Sequence, residues 1–415
     1  MNLAKRYHEH IKNKQSVSKK LILSIYLILI AATGFAQWTT LTSGTTYGLY
    51  SVYFTDSNTG YAVGDFGKIL KTINGGTNWT TQPNGTFECL RSVYFSDANI
   101  GFAVGNHGTI LKTNDAGATW SLQTSGITLS LISVCFTDDT TGYAVGESGI
   151  ILKTTNGGNT WSPQTSGTDI WWLYSVYFAS ANIGYAFGDQ GTIIKTSDAG
   201  ISWTPIASGT TSCFFSAYFT NIDTGYVVGI NGTILSTNDG GTTCIIQSSG
   251  TTNLLYSDYF VNTEIGYTVG YNGTILKTNN AGDLWTAQTS NTLYELRSVF
   301  FTNADTGYAV GNHGTILKTI NGGDFVEENL SPGFAITIFP NPTTDKLTIV
   351  IANNDVTLSL SKGQIEISNI QGQILRTINA AEKQTSIDVS DLAGGVYIIK
   401  AKTLKGVAVK KFVKE

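Results

Sequence analysis

Charge is scarce in this chain: Asp, Glu, Lys and Arg together make up 13% of the 415 residues, and proline is limited to six, cysteine to four and methionine to one. Sparse charge beside 41% hydrophobic residues excludes a disordered polymer, which needs the opposite balance. No convincing amphipathic helix can be traced, so a helical protein is excluded too. Cys89, Cys135, Cys213 and Cys244 show no Cys-x-x-Cys spacing, which removes the usual zinc and dithiol patterns. No metal and no cofactor is expected. Cys213 with Cys244 is the one disulfide pairing worth testing. What the chain does have is glycine, 46 residues of it, spaced as turns between short runs of Val, Ile, Tyr, Phe and Thr.

Those runs repeat. Gly60-Tyr61-Ala62-Val63-Gly64 opens a unit whose first glycine returns at Gly101, Gly142, Gly184, Gly225, Gly266 and Gly307, in steps of 41, 41, 42, 41, 41 and 41 residues. A repeat of about 40 to 45 residues with four strand-like runs is one blade of a propeller, because each small sheet buries its faces only against its neighbours. The fold class read from the sequence is all-β: a seven-bladed β-propeller plus a small C-terminal antiparallel β-sandwich. The seventh copy has Val326 where the others have tryptophan, apart from Cys244 in the fifth, and an orphan Trp38 lies 41 residues before Trp79. Residues Trp38 to Ser43 are therefore expected to supply the outer strand of blade seven and close the ring without an exposed edge.

The boundaries follow from composition. Residues 1–36 carry Lys19 and Lys20 before an apolar run that ends at Phe35, with Gly34 and Ala36 as small residues for a peptidase. That pattern is a signal peptide, and the run is short for a membrane span, so no transmembrane segment is expected after cleavage. The propeller is assigned to 37–326, a linker to 327–333 and the C-terminal domain to 334–415. Between Gln37 and Gly333 there are nine Lys and Arg against 21 Asp and Glu, a net −12, whereas the remainder carries ten against seven, a net +3. The acidic part would repel a phosphate backbone, so nucleic acid is not an expected partner.

Three resemblances add to this reading. The turn Thr113-Asn114-Asp115-Ala116-Gly117-Ala118-Thr119-Trp120, repeated in each unit, resembles the Asp-box of bacterial neuraminidase repeats. Physically it is a self-capped turn, with the Asn or Asp side chain on nearby amides and the Trp between sheets. The Gly-Tyr-Ala-Val-Gly, Gly-Thr-Ile-Leu-Lys-Thr and Asn-Gly-Gly-x-x-Trp strings together resemble the photosystem II assembly and stability factor propellers of cyanobacteria and chloroplasts, over residues 38–326. That family carries an arginine-rich patch, whereas only Arg91 and Arg297 fall in this propeller, so a photosystem role is not carried over. The same scarcity excludes a sialidase, which holds its substrate with three arginines. Finally, Phe339-Pro340-Asn341-Pro342 with the strand after it, Gly394-Gly395-Val396-Tyr397, and Lys410-Lys411-Phe412-Val413-Lys414 resemble a type A C-terminal sorting domain of the type IX secretion system. The resemblance implies that residues 334–415 engage that machinery and that the protein passes through the periplasm to be secreted or placed on the outer cell surface.

Candidate site residues lie where two connections of each blade share one face, namely those between strands two and three and from strand four to the next blade. Asp65, Glu147 and Asp189 fall on that face, as do His107 and His313 at matching hairpin positions. Arg91 and Arg297 match each other near the start of innermost strands, where Tyr50, Tyr174, Phe215 and Tyr256 stand in other blades. Trp171 and Trp172 precede the innermost strand of blade four and are expected to be exposed. This pattern suggests one cationic arc and one acidic arc that orient a protein or glycan partner without catalysis. The alternative is a glycan-cleaving enzyme that uses two of the carboxylates across a cleft. The repeated lysines of strand three, Lys71, Lys112, Lys153, Lys195, Lys277 and Lys318, are expected to keep solvated tips.

Overall fold

The computed structural model describes residues 38–323, 334–353, 363–369, 373–380, 384–403 and 406–415. The predicted signal peptide (1–36), Val326 and the linker (327–333) lie outside the described residues. Two compact units result, one over Gln37–Asp324 and one that contains the C-terminal strands.

The first unit is a propeller of seven four-stranded antiparallel sheets. Blade two shows the pattern: an innermost strand Leu90–Phe95, then Gly101–Gly105, Ile110–Thr113 and an outer Ser121–Gln123. The second strand is buried along its whole length, while the innermost strand alternates, as expected when one edge faces the central channel and both sheet faces are covered. Blade seven is completed by Thr39–Leu41, which pairs with Ile316–Lys318. Trp38 is fully buried among Tyr267, Leu296 and Phe301 at the seam between blades six and seven. The start of the propeller thus supplies the aromatic wedge and outer strand that the seventh repeat lacks.

Two sets of bonds hold the blades in a circle. Near the axis, the Ser51 hydroxyl accepts from Val93 N at 3.2 Å, Ser92 from Val134 N at 3.4 Å, and Ser298 closes the ring by accepting from Val52 N at 3.2 Å. On the lower rim, the second-strand tyrosine, replaced by Phe102 in blade two, reaches the next blade's turn, as Tyr61 Oη donates to Ala116 O at 2.6 Å and Tyr308 Oη to Gly75 O at 2.9 Å. The repeated lysines do the same, which corrects the expectation of solvated tips. Lys71, Lys112, Lys153, Lys195 and Lys318 each donate to a carbonyl of the neighbouring turn at 2.6 to 2.8 Å. Those carbonyls lie in turns with left-handed residues and have no ladder partner, so the ammonium satisfies an acceptor that burial would otherwise penalise.

The lower turn itself is capped from within. In blade two, Thr113 Oγ1 accepts from Gly117 N at 2.8 Å, and Asp115 Oδ1 accepts from Thr119 N at 2.8 Å. Trp120 then packs between Tyr61 of blade one and Phe95 of its own blade. In blade five, Cys244 stands where the other blades place tryptophan and leaves a small void lined by Tyr185, Ile206 and Leu235. All four cysteines are free thiols, so the Cys213 to Cys244 pairing is not formed.

The second unit is an antiparallel sandwich. One sheet orders Phe334–Phe339, Lys346–Asn353 and Gln384–Asp388; the other orders Ile374–Ala380, Gly363–Asn369, Gly395–Thr403 and Gly406–Lys414. Leu347, Ile349, Ile365, Ile367, Ile387, Tyr397, Ile399 and Phe412 share its core. The three motif segments meet at one corner. Asn341 Oδ1 accepts from Val413 N at 2.8 Å, its amide donates to Lys411 O at 3.1 Å, and Tyr397 stacks on Phe412 at 5.3 Å.

Candidate binding face

The upper rim of the propeller is built from one backbone device repeated seven times. Each innermost strand begins with a β-bulge, so that Leu49 pairs with Gly64 and Ser51 with Val63 while Tyr50 between them has no partner. The bulged residues are Tyr50, Arg91, Ile132, Tyr174, Phe215, Tyr256 and Arg297. A bulge re-aims its side chain away from the pleat, and here all seven stand half-buried around the mouth of the channel. They touch in sequence. The Arg91 guanidinium lies 4.7 Å from the Tyr50 ring centre and that of Arg297 5.9 Å from the same ring; Arg297 also lies 4.1 Å from Tyr256. Tyr256 meets Phe215 at 5.3 Å, Phe215 meets Tyr174 at 5.1 Å, and Tyr174 stacks on Trp172 at 6.1 Å.

Outside this ring stand the hairpins that join strands two and three. The glycine that opens each is forced by close approach: a Cβ on Gly64 would lie 1.9 Å from Gly48 O. The next but one residue adopts a left-handed backbone in every blade, at φ 52° for Phe66 and His107 and 58° for His313. Asn231, Asn272 and the two histidines suit that region, whereas Phe66 is held there against preference. Blades seven, one and two thus carry bulky, exposed side chains at this position, and only that of blade one, Phe66, is strained.

The structure brings the predicted residues onto one face, but not in the expected roles. Asp65 accepts from Gly48 N at 3.0 Å and from Tyr50 Oη at 2.9 Å, and burial together with this carboxylate pushes the Tyr50 phenol up to about 12. Glu147 accepts from Ser130 N at 3.0 Å. Asp189 hydrogen-bonds the Tyr174 phenol, whose pKa is raised mainly by burial. The acids therefore brace their own rims. His107 Nδ1 lies 2.7 Å from Glu88 Oε2, a bond that raises the imidazole's pKa. Arg297 pairs with Glu295, and the Arg91 Nε donates to Asn106 Oδ1 at 3.1 Å. The expected cationic arc is thus largely neutralised by Glu88 and Glu295, which sequence reasoning overlooked because they sit in the preceding connection. His313 stacks near Tyr294 at 4.4 Å.

Trp171 is 75% exposed, as expected. Trp172 is not, because its ring packs on Tyr174 and its backbone bridges Glu147 while its carbonyl accepts from Asp189 N at 3.1 Å. The face also holds aromatics that the sequence reading passed over: Tyr47, Phe66, Phe87, Tyr271 and Tyr294, with Phe87 88% exposed. Together with Trp171 these are the exposed aromatic residues of the described propeller, and all six belong to upper connections. The lower turns expose only aliphatic residues of comparable size, Ile73, Ile201, Ile222 and Leu284. The repeat register held a signal, since Tyr47, Trp171 and Tyr294 occupy one and the same position, two residues before the innermost strand. Among the described residues there is no cluster of three or more metal-ligating side chains, and no helix is long and apolar enough to cross a membrane.

Comparison with known proteins gives the following. The family described as photosynthesis system II assembly factor YCF48 matches residues 30–120, 84–170 and 199–287. The secretion system C-terminal sorting domain matches residues 337–415, which marks the chain for export by the type IX route. A solved structure of YCF48 bound to D1 peptide is similar at a TM-score of 0.61 and 18% identity, covering 70% of this chain and 99% of the other. YCF48 from Cyanidioschyzon merolae is similar at 0.59 and 19%, covering 68% and 98%. Virginiamycin B lyase from Staphylococcus aureus reaches 0.60 at 14%, covering 68% and 97%. At such identities the likeness establishes the propeller fold alone. No curated protein matches the chain.

Proposed function

The chain belongs to the family of photosynthesis system II assembly factor YCF48, and from that premise we propose that its propeller is an exported, noncatalytic holder of a segment of a partner protein, bound at the mouth of the channel. The observation that carries this reading is the confinement of the propeller's exposed aromatics to the rim that also displays the ring of bulged residues. Exposed Tyr, Phe and Trp around a mixed polar centre are the side chains that anchor protein segments. That a protein of similar fold was solved bound to a peptide, YCF48 with D1 peptide, supports this reading. The enzymatic alternative is less well supported, because Asp65, Glu147 and Asp189 each serve as acceptors for their own blade.

The partner is proposed to be met outside the cell, with the C-terminal domain engaging the secretion machinery and the propeller then released or kept on the surface. Deleting residues 334–415 is expected to leave the propeller in the periplasm. The binding claim is tested by selecting a random peptide library against the full chain. Selected peptides should bind about tenfold more weakly to Arg91→Ala and Trp171→Ala and equally well to Ile201→Ser on the lower rim. A library that gives no binder, or binders indifferent to the upper-rim changes, would overturn it.

A further inference from the structure

Away from the channel mouth, the seam between blades seven and one carries an open groove of about 780 Å³. Its lining includes Thr46, Tyr47, Lys68, Asn291, Tyr294 and His313, and contains no carboxylate. The cation is the unusual member of that lining. Of the nine Lys and Arg between Gln37 and Gly333, the six repeated lysines are packed at the blade seams, five of them donating to neighbouring turns and Lys277 lying over the Tyr267 ring. Arg297 is paired with Glu295, and Arg91 donates to Asn106 as well as lying over Tyr50. Lys68 remains. Its Nζ lies 5.6 Å from the Tyr47 ring centre and makes neither a hydrogen bond nor an ion pair among the described residues, so it is the propeller's uncommitted cation.

Two rings flank it. Tyr47 is 44% and Tyr294 49% exposed, and each is propped by a neighbour, Phe66 at 4.8 Å and His313 at 4.4 Å. The phenols of both, and the Thr46 hydroxyl, make no hydrogen bond among the described residues. Blade five offers an internal comparison, since the equivalent groove is lined by Asn231, Gln247, Ser249 and Thr251 with neither an aromatic ring nor a charged side chain. The shape is thus a by-product of the blade, whereas the paired rings and the cation are particular to the seam.

We propose that the seam groove binds a short acidic oligosaccharide. Sugar rings lie against Tyr47 and Tyr294, their hydroxyls exchange hydrogen bonds with Thr46, Asn291 and the two phenols, and a uronate carboxylate pairs with Lys68 Nζ. Rigid aromatic faces beside hydroxyl and amide groups match a ligand whose faces are apolar and whose edges are polar. A single ammonium without a competing carboxylate selects one anionic group, while the net −12 of the propeller disfavours a long polyanion.

The test uses the full chain with trigalacturonate as probe, maltotriose as neutral control and triglutamate as charge control, followed by calorimetry. Trigalacturonate should bind in preference to both. Tyr47→Ala and Tyr294→Ala should each weaken it about tenfold, and Lys68→Gln should abolish the preference over maltotriose while Lys68→Arg retains it. Trp171→Ala, which is expected to damage peptide selection, should leave trigalacturonate untouched. The proposal is overturned if trigalacturonate fails to bind at millimolar concentration, if triglutamate binds equally well, or if folded Tyr47→Ala and Lys68→Gln proteins bind as the parent does.

Discussion

The two rims of the propeller are made by the same repeat yet behave as different materials. The lower rim is nearly uniform: a Thr hydroxyl, an Asn or Asp carbonyl oxygen, two left-handed turn residues, a Tyr and a Lys recur from blade to blade with hydrogen bonds that agree within a few tenths of an ångström. The upper rim keeps only its backbone. Its bulge and hairpin recur in shape, but the side chains placed there are Tyr, Arg, Ile or Phe at one position and Phe, His, Ser, Gln or Asn at another. Uniformity marks the parts that hold neighbouring blades together; variety marks the parts that meet something else. Most exceptions on the scaffold side lie in blades five and six, where Cys244 replaces a Trp, Ser236 a Lys and Asp258 a Val, and blade two has Phe102 in place of the Tyr.

This contrast is open to attack. The largest effect is expected at the closing seam. Trp38→Ala removes a fully buried wedge and should destabilise the propeller by about 3–5 kcal/mol in urea unfolding; a loss below about 1 kcal/mol would mean that the N-terminal segment does not lock the ring.

Next comes Asp258, which is buried with Oδ2 unpartnered and faces the equally unpartnered Thr268 hydroxyl across the sheet. Burial pushes its carboxyl up to about 7. The native state therefore keeps a proton that an unfolded aspartate has already lost, so stability falls as pH rises from about 4 towards 7 and stays low above it. The Asp258→Val, Thr268→Ala protein restores the side chains of blade two and should gain about 2–4 kcal/mol at pH 8, with little gain at pH 4. An equal gain at both pH values would show that packing rather than ionisation is the cost. The lower-rim aspartates have the opposite sign. Asp115 and Asp198 are held at about 2 by bonds from Thr119 and Ser202, so their contribution is complete above an unfolded carboxylate's range and is lost as pH falls through about 2.

Smaller effects sharpen the picture. Cys244→Trp fills the void beside Tyr185 and Ile206 and should raise stability by about 0.5–2 kcal/mol in thermal unfolding; destabilisation would show that blade five has closed around the smaller residue. Phe66→Asn relieves a bulky residue from a left-handed backbone and should gain about 1 kcal/mol. Arg91→Ala should change stability by no more than about 0.5 kcal/mol while impairing peptide binding. A larger loss would move Arg91 from the binding face to the scaffold.

Much of this was legible beforehand because a propeller repeat is a local code. Gly-Tyr-Ala-Val-Gly is a strand with its own turn, Thr-x-Asn-Gly-Gly-x-x-Trp caps itself, and the offset of 41 between Trp38 and Trp79 revealed the closure. The lysine tips were misread because their acceptors belong to the next blade, about 45 residues away. Trp172 was misplaced for a like reason, since its cover comes from Tyr174 and from the hairpin of blade three.

The amino-acid order alone settled how many blades there are, where each strand starts and stops, and which domain follows, since hydrogen bonds and turns within one repeat depend on residues a few places apart. Curling those repeats into a ring decided the rest. It set Arg91 and Arg297, 206 positions apart, beside the same Tyr50 ring, and brought Lys68 and Tyr294 into the lining of one groove. Such neighbours arise only when the seventh blade meets the first, because the potential between charges depends on distance through space and not along the chain.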